Sequence, residues 1–220
     1  MVSLKRERRK EAFLDVDLYP VTCERLSSGR SNMEVLEGIV RGGARIVQLR
    51  DKEAARKDLY LTAAAFREIT RKAGVLLIIN DYVDIALAVD ADGVHLGQED
   101  LPVAAAREIA PDLLIGASTH SLEQALAAQG EGADYVNIGP IFATGTKEGT
   151  GPFLGPKAIG EIGGRLQVPF TVMGGIKESN IGEVLAQGAR RVAVVTAVTE
   201  ARDIAAAVGS LRGKISQAAN

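Results

Sequence analysis

The chain has no tryptophan, a single cysteine, two histidines and only 4% aromatic residues. One cysteine cannot close an internal disulfide, and no nearby cysteine or histidine gives Cys23 a metal or redox spacing. Cys23 therefore reads as an incidental thiol, and a reducing, cytoplasmic setting is expected. No apolar run is long enough to cross a bilayer, so no membrane partner is expected. Met1 to Lys10 is basic but lacks an apolar stretch, and a secretory leader is not expected either. An excess of one charge is also missing. The 26 Lys and Arg residues against 28 Asp and Glu leave a formal net charge of -2. Such a chain has no global basic field to draw nucleic acid. No Gly-rich dinucleotide fingerprint follows the first strand. No Cys–His or Ser–His–Asp arrangement is legible, which argues against nucleophilic catalysis.

What is present is a regular alternation. The 220 residues, 46% hydrophobic and 25% charged, suit one globular α/β domain with a sizeable core. Val75 to Ile79 is an unbroken apolar run of the kind buried on both faces of a parallel sheet. Similar short segments occur at 18–22, 45–49, 93–96, 113–117, 135–139, 170–173 and 192–195. Between them lie helical signals. Ser31 with Glu34, Ser121 with Gln124, and Asn180 with Glu183 read as capping boxes, and Gly42-Gly43 and Gly74 read as helix ends. A short helix is expected over 83–89, and Ile204, Val208 and Leu211 mark a last one. Gly43-Ala44-Arg45, Gly132-Ala133-Asp134 and Gly188-Ala189-Arg190 recur where a helix gives way to a strand. Eight strand–helix units predict a (β/α)₈ TIM barrel over residues 13–220; a doubly wound open sheet is the alternative. Residues 1–12 read as a basic, solvated N-terminal arm or a short extra helix.

In such a barrel the strand ends share one mouth. Gln48, Arg50 and Lys52 follow strand two, Asn80 and Asp81 strand three, and Asp100 strand four. Ser118 and His120 follow strand five; Thr144, Thr146 and Lys147 strand six; Gly174-Gly175 strand seven; Val195-Thr196 strand eight. Carboxylates, cations and hydroxyls on one rim suit an anionic, phosphorylated substrate bridged by Mg²⁺. Asp81 and Asp100 also fit a second role. Asp81 could N-cap a helix with Asp84 in its first turn, and Asp100 the helix entered at Pro102. On these residues alone capping and metal binding are equally supported. Glycines after strand seven lie where barrels often bind phosphate through backbone N–H groups, although Gly174-Gly175 also reads as a tight turn. His95 reads as a satisfied core or rim histidine, and His120 as a substrate contact or a cap.

Several segments together resemble the thiamine phosphate synthase family. They are Val47 to Lys52, Ile79-Asn80-Asp81, Gly93 to Pro102 with its Gln98-Glu99-Asp100, Gly116 to His120, Gly139 to Phe142 with Thr144-Gly145-Thr146-Lys147, and Gly174-Gly175-Ile176. The resemblance spans nearly the whole domain. It implies an Mg²⁺-dependent transferase of thiamine biosynthesis that joins hydroxymethylpyrimidine diphosphate to a thiazole phosphate and releases diphosphate. It further implies Mg²⁺ on Asp81 and Asp100. Gln48, Leu49, Arg50, Asp51, Lys52, Asn80, Ser118 and Lys147 would contact the pyrimidine diphosphate. Thr144, Gly145, Thr146, Gly175, Val195 and Thr196 would hold the thiazole phosphate. Lys147, Ser118 and Arg50 would serve the chemistry. Three departures stand out: Asp51 where Glu is common, Thr196 where Ser is common, and Gly145 in place of Pro or Thr. The competing readings are a thiazole tautomerase-like isomerase, which has no need of a diphosphate site built from Lys52, Asp81, Asp100 and Lys147, and a non-catalytic phosphate-ligand binder of the same fold. Whether the chain forms a homo-oligomer is left open.

Overall fold

Eight parallel strands form the centre of the computed structural model, which describes residues 3–144 and 153–219. They are β1 (Leu18–Pro20), β2 (Ile46–Leu49), β3 (Leu76–Asn80), β4 (Gly93–Leu96), β5 (Leu114–Thr119), β6 (Tyr135–Ile138), β7 (Phe170–Val172) and β8 (Val192–Val194). The helices are α1 (Leu4–Leu14), α2 (Asn32–Arg41), α3 (Arg56–Ala73), α4 (Val83–Ala88), α5 (Val103–Ile109), α6 (Leu122–Gly130), α7 (Lys157–Gly163), α8 (Ile181–Ala186), α9 (Thr196–Thr199) and α10 (Ile204–Ala219). The strand order runs β1-β8-β7-β6-β5-β4-β3-β2. Val21 bridges Gln48, and the Thr22 N–H donates to Gln48 O at 2.9 Å, so the two ends meet and the ring is a (β/α)₈ barrel.

Side chains alternate across each strand, so a barrel strand feeds two separate cores. Val47, Leu49, Leu77, Ile79, Val94, Ile115 and Val136 point outward to the helices. Tyr19, Ile46, Ile78, Leu114, Tyr135 and Ala193 form the inner core with Phe13. The inner space is tight. A Cβ on Gly116 would lie 2.1 Å from Tyr135 Cζ, so this glycine makes the room in which the Tyr135 ring sits.

The N-terminal segment is a helix, and its span crosses the boundary expected at residue 12. It is no solvated arm. Arg9 is buried, donating to Asp112 O at 2.8 Å and Ala91 O at 2.7 Å, with Asp92 at 3.4 Å. Arg6 pairs with Asp134 at 2.8 Å, and Phe13 stacks on Tyr135 at 4.4 Å between ring centroids. Asp92 and Asp134 each accept the N–H of a neighbouring strand, from Leu77 at 2.9 Å and Ile115 at 2.8 Å. Arg67 and Arg107 complete these clusters at 2.7 and 2.5 Å. The helix thus seals the end of the barrel at which the strands begin.

Two of the three expected capping boxes differ from expectation. Ser31 and Glu34 form theirs in both directions. Ser121 Oγ accepts the Gln124 N–H, but Gln124 Oε1 takes the His120 N–H rather than that of Ser121. Asn180 does not cap α8: its Oδ1 accepts from Lys177 N at 2.7 Å and its Nδ2 donates to Gly175 O at 3.0 Å. The side chain folds back onto the β7–α8 turn instead.

Candidate active site

A cavity of about 560 Å³ opens where the strands end. Gln48, Arg50, Lys52, Asn80, Asp81, Asp100, Ser118, Thr144, Gly175, Val195 and Thr196 all line it. Each comes from a strand end or the loop after it, so the barrel itself gathers them. Leu49 and Asp51 do not line it. Leu49 is buried in the outer core, as the alternation with inward Gln48 requires. Asp51 Oδ1 accepts from the N–H groups of Glu53 and Ala54, and its Oδ2 from Asn32 Nδ2. A substrate contact from either residue would have to come from its main chain. Gly145, Thr146 and Lys147 lie outside the described residues.

Neither acid caps a helix. Tyr82 precedes α4 and Pro102 precedes α5, both without a side-chain cap. Asp100 Oδ2 instead accepts the Gly97 N–H at 2.6 Å, bending the loop after β4 back toward β3. Asp81 sits at φ +65°, a left-handed conformation that Asp and Asn tolerate better than most residues. Its carboxylate meets Lys52 Nζ at 3.0 Å and lies beside that of Asp100. Burial pushes the Asp81 pKa up, and the adjacent Asp100 carboxyl adds to the rise against the opposing pull of Lys52. Two acids held face to face, one of them reluctant to ionise, gain from a cation between them. Oxygen-only donors of this kind suit Mg²⁺, which keeps several waters and recruits substrate phosphate. Groups of three or more His, Cys, Asp and Glu able to hold a metal are absent among the described residues.

Three other residues of the cavity were not legible as a site. Tyr19, Asn137 and Thr171 line it from inward positions of β1, β6 and β7. Thr171 Oγ1 donates to Asn137 Oδ1 at 2.9 Å. Gln98 Nε2 donates to Ser118 O at 2.6 Å. Arg50 donates through Nη1 to Cys23 Sγ at 3.6 Å, so the buried thiol helps hold that guanidinium. His120 lines the cavity and its Nδ1 lies 2.5 Å from Gly139 O, which makes Nδ1 the protonated nitrogen. His95 is buried and hydrogen-bonded to Tyr135 and Ser118. Only their inward register distinguishes Tyr19, Asn137 and Thr171 from ordinary core, and a period-2 count along each strand would have found them.

A family model described as thiamine monophosphate synthase matches residues 18–198. The thiamine-phosphate synthase of Pelotomaculum thermopropionicum is 45% identical over 213 residues, covering 96% of this chain and 98% of the relative. That of Methanoculleus marisnigri is 47% identical over 203 residues, covering 92% and 96%. Among solved structures, a thiamine phosphate pyrophosphorylase from Pyrococcus furiosus superposes with a TM-score of 0.86 at 36% identity, covering 99% of this chain and all of that one. A 3-hexulose-6-phosphate synthase, 19% identical with a TM-score of 0.68, shares the fold.

Proposed function

The chain belongs to the thiamine monophosphate synthase family, and we propose on that premise that it condenses 4-amino-2-methyl-5-hydroxymethylpyrimidine diphosphate with a thiazole phosphate. The products are thiamine phosphate and diphosphate, and the enzyme is a transferase of thiamine biosynthesis. The observation that carries this reading is the pairing of Asp81 with Asp100 beside Lys52 at the mouth of one cavity. A monophosphate isomerase has no use for that much charge management.

The chemistry follows from the substrate. The methylene C–O bond breaks, the electron pair leaves with diphosphate, and the thiazole nitrogen forms the new C–N bond. Asp81 and Asp100 would hold Mg²⁺, which when bound would supply positive charge to neutralise the diphosphate. Lys52 and Arg50 add fixed cations on the same side of the mouth, and Lys147 would bring another from the loop after β6. Asn80, Gln48 and Ser118 hydrogen-bond and orient the pyrimidine. The aminopyrimidine ring delocalises charge at the methylene, so a dissociative route needs no strong protein base. Thr144, Thr146, Gly175, Val195 and Thr196 hold the thiazole phosphate through hydroxyl and backbone N–H groups, which aims the nucleophile.

The site works as one barrel domain on small molecules, with no call on nucleic acid at a net charge of -2. Among the described residues no helix is long and apolar enough to cross a membrane. The single buried thiol suits the cytoplasm. Incubating the purified protein with both substrates tests the reading. Thiamine phosphate and equimolar diphosphate should appear only with Mg²⁺; no product under those conditions would refute it.

A further inference from the structure

A row of hydrogen bonds crosses the barrel interior and ends at two cavity-lining side chains. Gln48 Nε2 donates to Tyr19 Oη at 3.0 Å. The Tyr19 and Tyr135 hydroxyls are 2.8 Å apart. Tyr135 Oη lies 3.2 Å from His95 Nδ1, and His95 Nε2 lies 2.9 Å from Ser118 Oγ. The row passes through β2, β1, β6, β4 and β5. Tyr19 is 1% exposed and Tyr135 fully buried, so their hydroxyls depend on protein partners.

Each hydroxyl carries one proton, and a neutral imidazole carries one N–H. These counts give the row a single polarity. With the Gln48 amide nitrogen facing Tyr19, Tyr19 Oη accepts and passes its own proton to Tyr135. Tyr135 then donates to His95 Nδ1. The imidazole proton must sit on Nε2, where it donates to Ser118 Oγ. Ser118 has its acceptor role filled inside the protein and keeps its O–H for the cavity. Burial raises both phenol pKa values, so neither loses its proton near neutrality and the polarity holds. Reversing the row would require the Gln48 amide to turn over, so the orientations of two substrate-facing groups are coupled across the barrel.

We infer that His95 is a positioning residue, held by Tyr135 and Tyr19 as its Nε2–H tautomer, which makes Ser118 a hydrogen-bond donor to the bound substrate. The acceptor would be a pyrimidine ring nitrogen or a leaving-group oxygen. The inference rests on the synthase reading for what the donor serves, but the polarity itself does not.

The first test uses the free protein. The chain has two histidines, so ¹⁵N-histidine labelling gives two imidazoles, separated by His120→Gln. At alkaline pH, where the ring is neutral, His95 should show a protonated Nε2 and a bare Nδ1. A proton on Nδ1 would overturn the inference whether or not the protein makes thiamine phosphate. The second test is a kinetic cycle. Tyr135→Phe should lower kcat about tenfold in the parent and less than about twofold in Ser118→Ala, since it acts through that hydroxyl. Equal losses in both backgrounds would mean that Tyr135 only packs, and would also overturn it. Should Tyr135→Phe fail to fold, Tyr19→Phe removes the next hydroxyl in the row and is read the same way. A parent that makes no product under any condition refutes the synthase reading alone.

Discussion

Asp81→Asn separates charge from backbone at the proposed metal site. The side chain is 12% exposed and sits at φ +65°. Asparagine tolerates that conformation, whereas alanine there costs about 1–2 kcal/mol. For a chain of this size each kcal/mol moves Tm by about 2–4 °C. Asp81→Ala should therefore melt about 2–8 °C early for reasons unrelated to metal, and Asp81→Asn should not. The Asn variant forfeits the ion pair with Lys52, which is 48% exposed and so contributes at most about 1 kcal/mol. It also removes the facing of two acids. In metal-free protein, burial and Asp100 hold the Asp81 pKa above 3.8. The folded state then keeps this proton to a higher pH than the unfolded chain. The resulting stability is present below the unfolded value and is lost as pH rises through the raised folded value. Thermal melts in EDTA should show this decline in the parent and not in Asp81→Asn. With Mg²⁺ present, turnover of the Asn variant should fall about 10²–10³-fold, the scale on which one electrostatic stabiliser of a transition state counts. An Asn variant that turns over like the parent would refute the assignment of Asp81 to the metal.

Other outcomes follow from the same geometry. Chelation should weaken binding of the pyrimidine diphosphate far more than that of the thiazole phosphate, and Thr196→Val should do the reverse; calorimetric titration of each ligand alone checks both. Gly175→Ala should impair folding as well as thiazole phosphate binding, because a Cβ there would lie 2.4 Å from Ala143 O at a φ of +61°, and chemical denaturation reads that loss directly. Lys147→Ala should slow single-turnover product formation far more than it disturbs folding, with Tm moving by no more than about 1 °C. Asp134→Ala should destabilise by about 3–5 kcal/mol with kcat preserved, since it strands Arg6 and Arg107 on the face opposite the cavity; urea melts and steady-state kinetics separate the two.

Much of the barrel was legible because its signals are local. Apolar runs such as Val75 to Ile79 and the recurring Gly-Ala turns mark strand starts regardless of context, and strand boundaries fall within a residue or two of expectation. Asp81 and Asp100 were legible as an acidic pair, but whether they cap helices was not, because that depends on which N–H groups each carboxylate meets. Asn180 shows the converse: its Asn-x-x-Glu spacing matches a capping box, yet the turn after β7 offers its side chain better partners. Leu49 and Asp51 belong to the matching motif but turn away from the cavity, as strand alternation dictates for Leu49. Tyr19, His95 and Tyr135 look like ordinary strand residues until the ring closes and brings five strands together. The first helix was one of two expectations for its segment, but its burial was not foreseen, for a related reason. Its arginines read as solvated charge, and only Asp92 and Asp134, far along the chain, reveal that they are buried.

That distance orders the events of synthesis. The helix α1 is made before the residues it docks against, Ala91, Asp112, Asp134 and Arg191. Its closing contacts span 82 to 178 residues of sequence. Loops of that length close late, so a basic helix carrying Phe13 waits unpartnered while most of the barrel is made. An apolar ring in such a waiting segment is an exposed hazard for a nascent chain. Phe13 is covered only once Tyr135 has been made, and until then the charges of its neighbouring arginines oppose association of the segment. The seal of the finished barrel is thus its earliest-made helix and one of the last to find its partners.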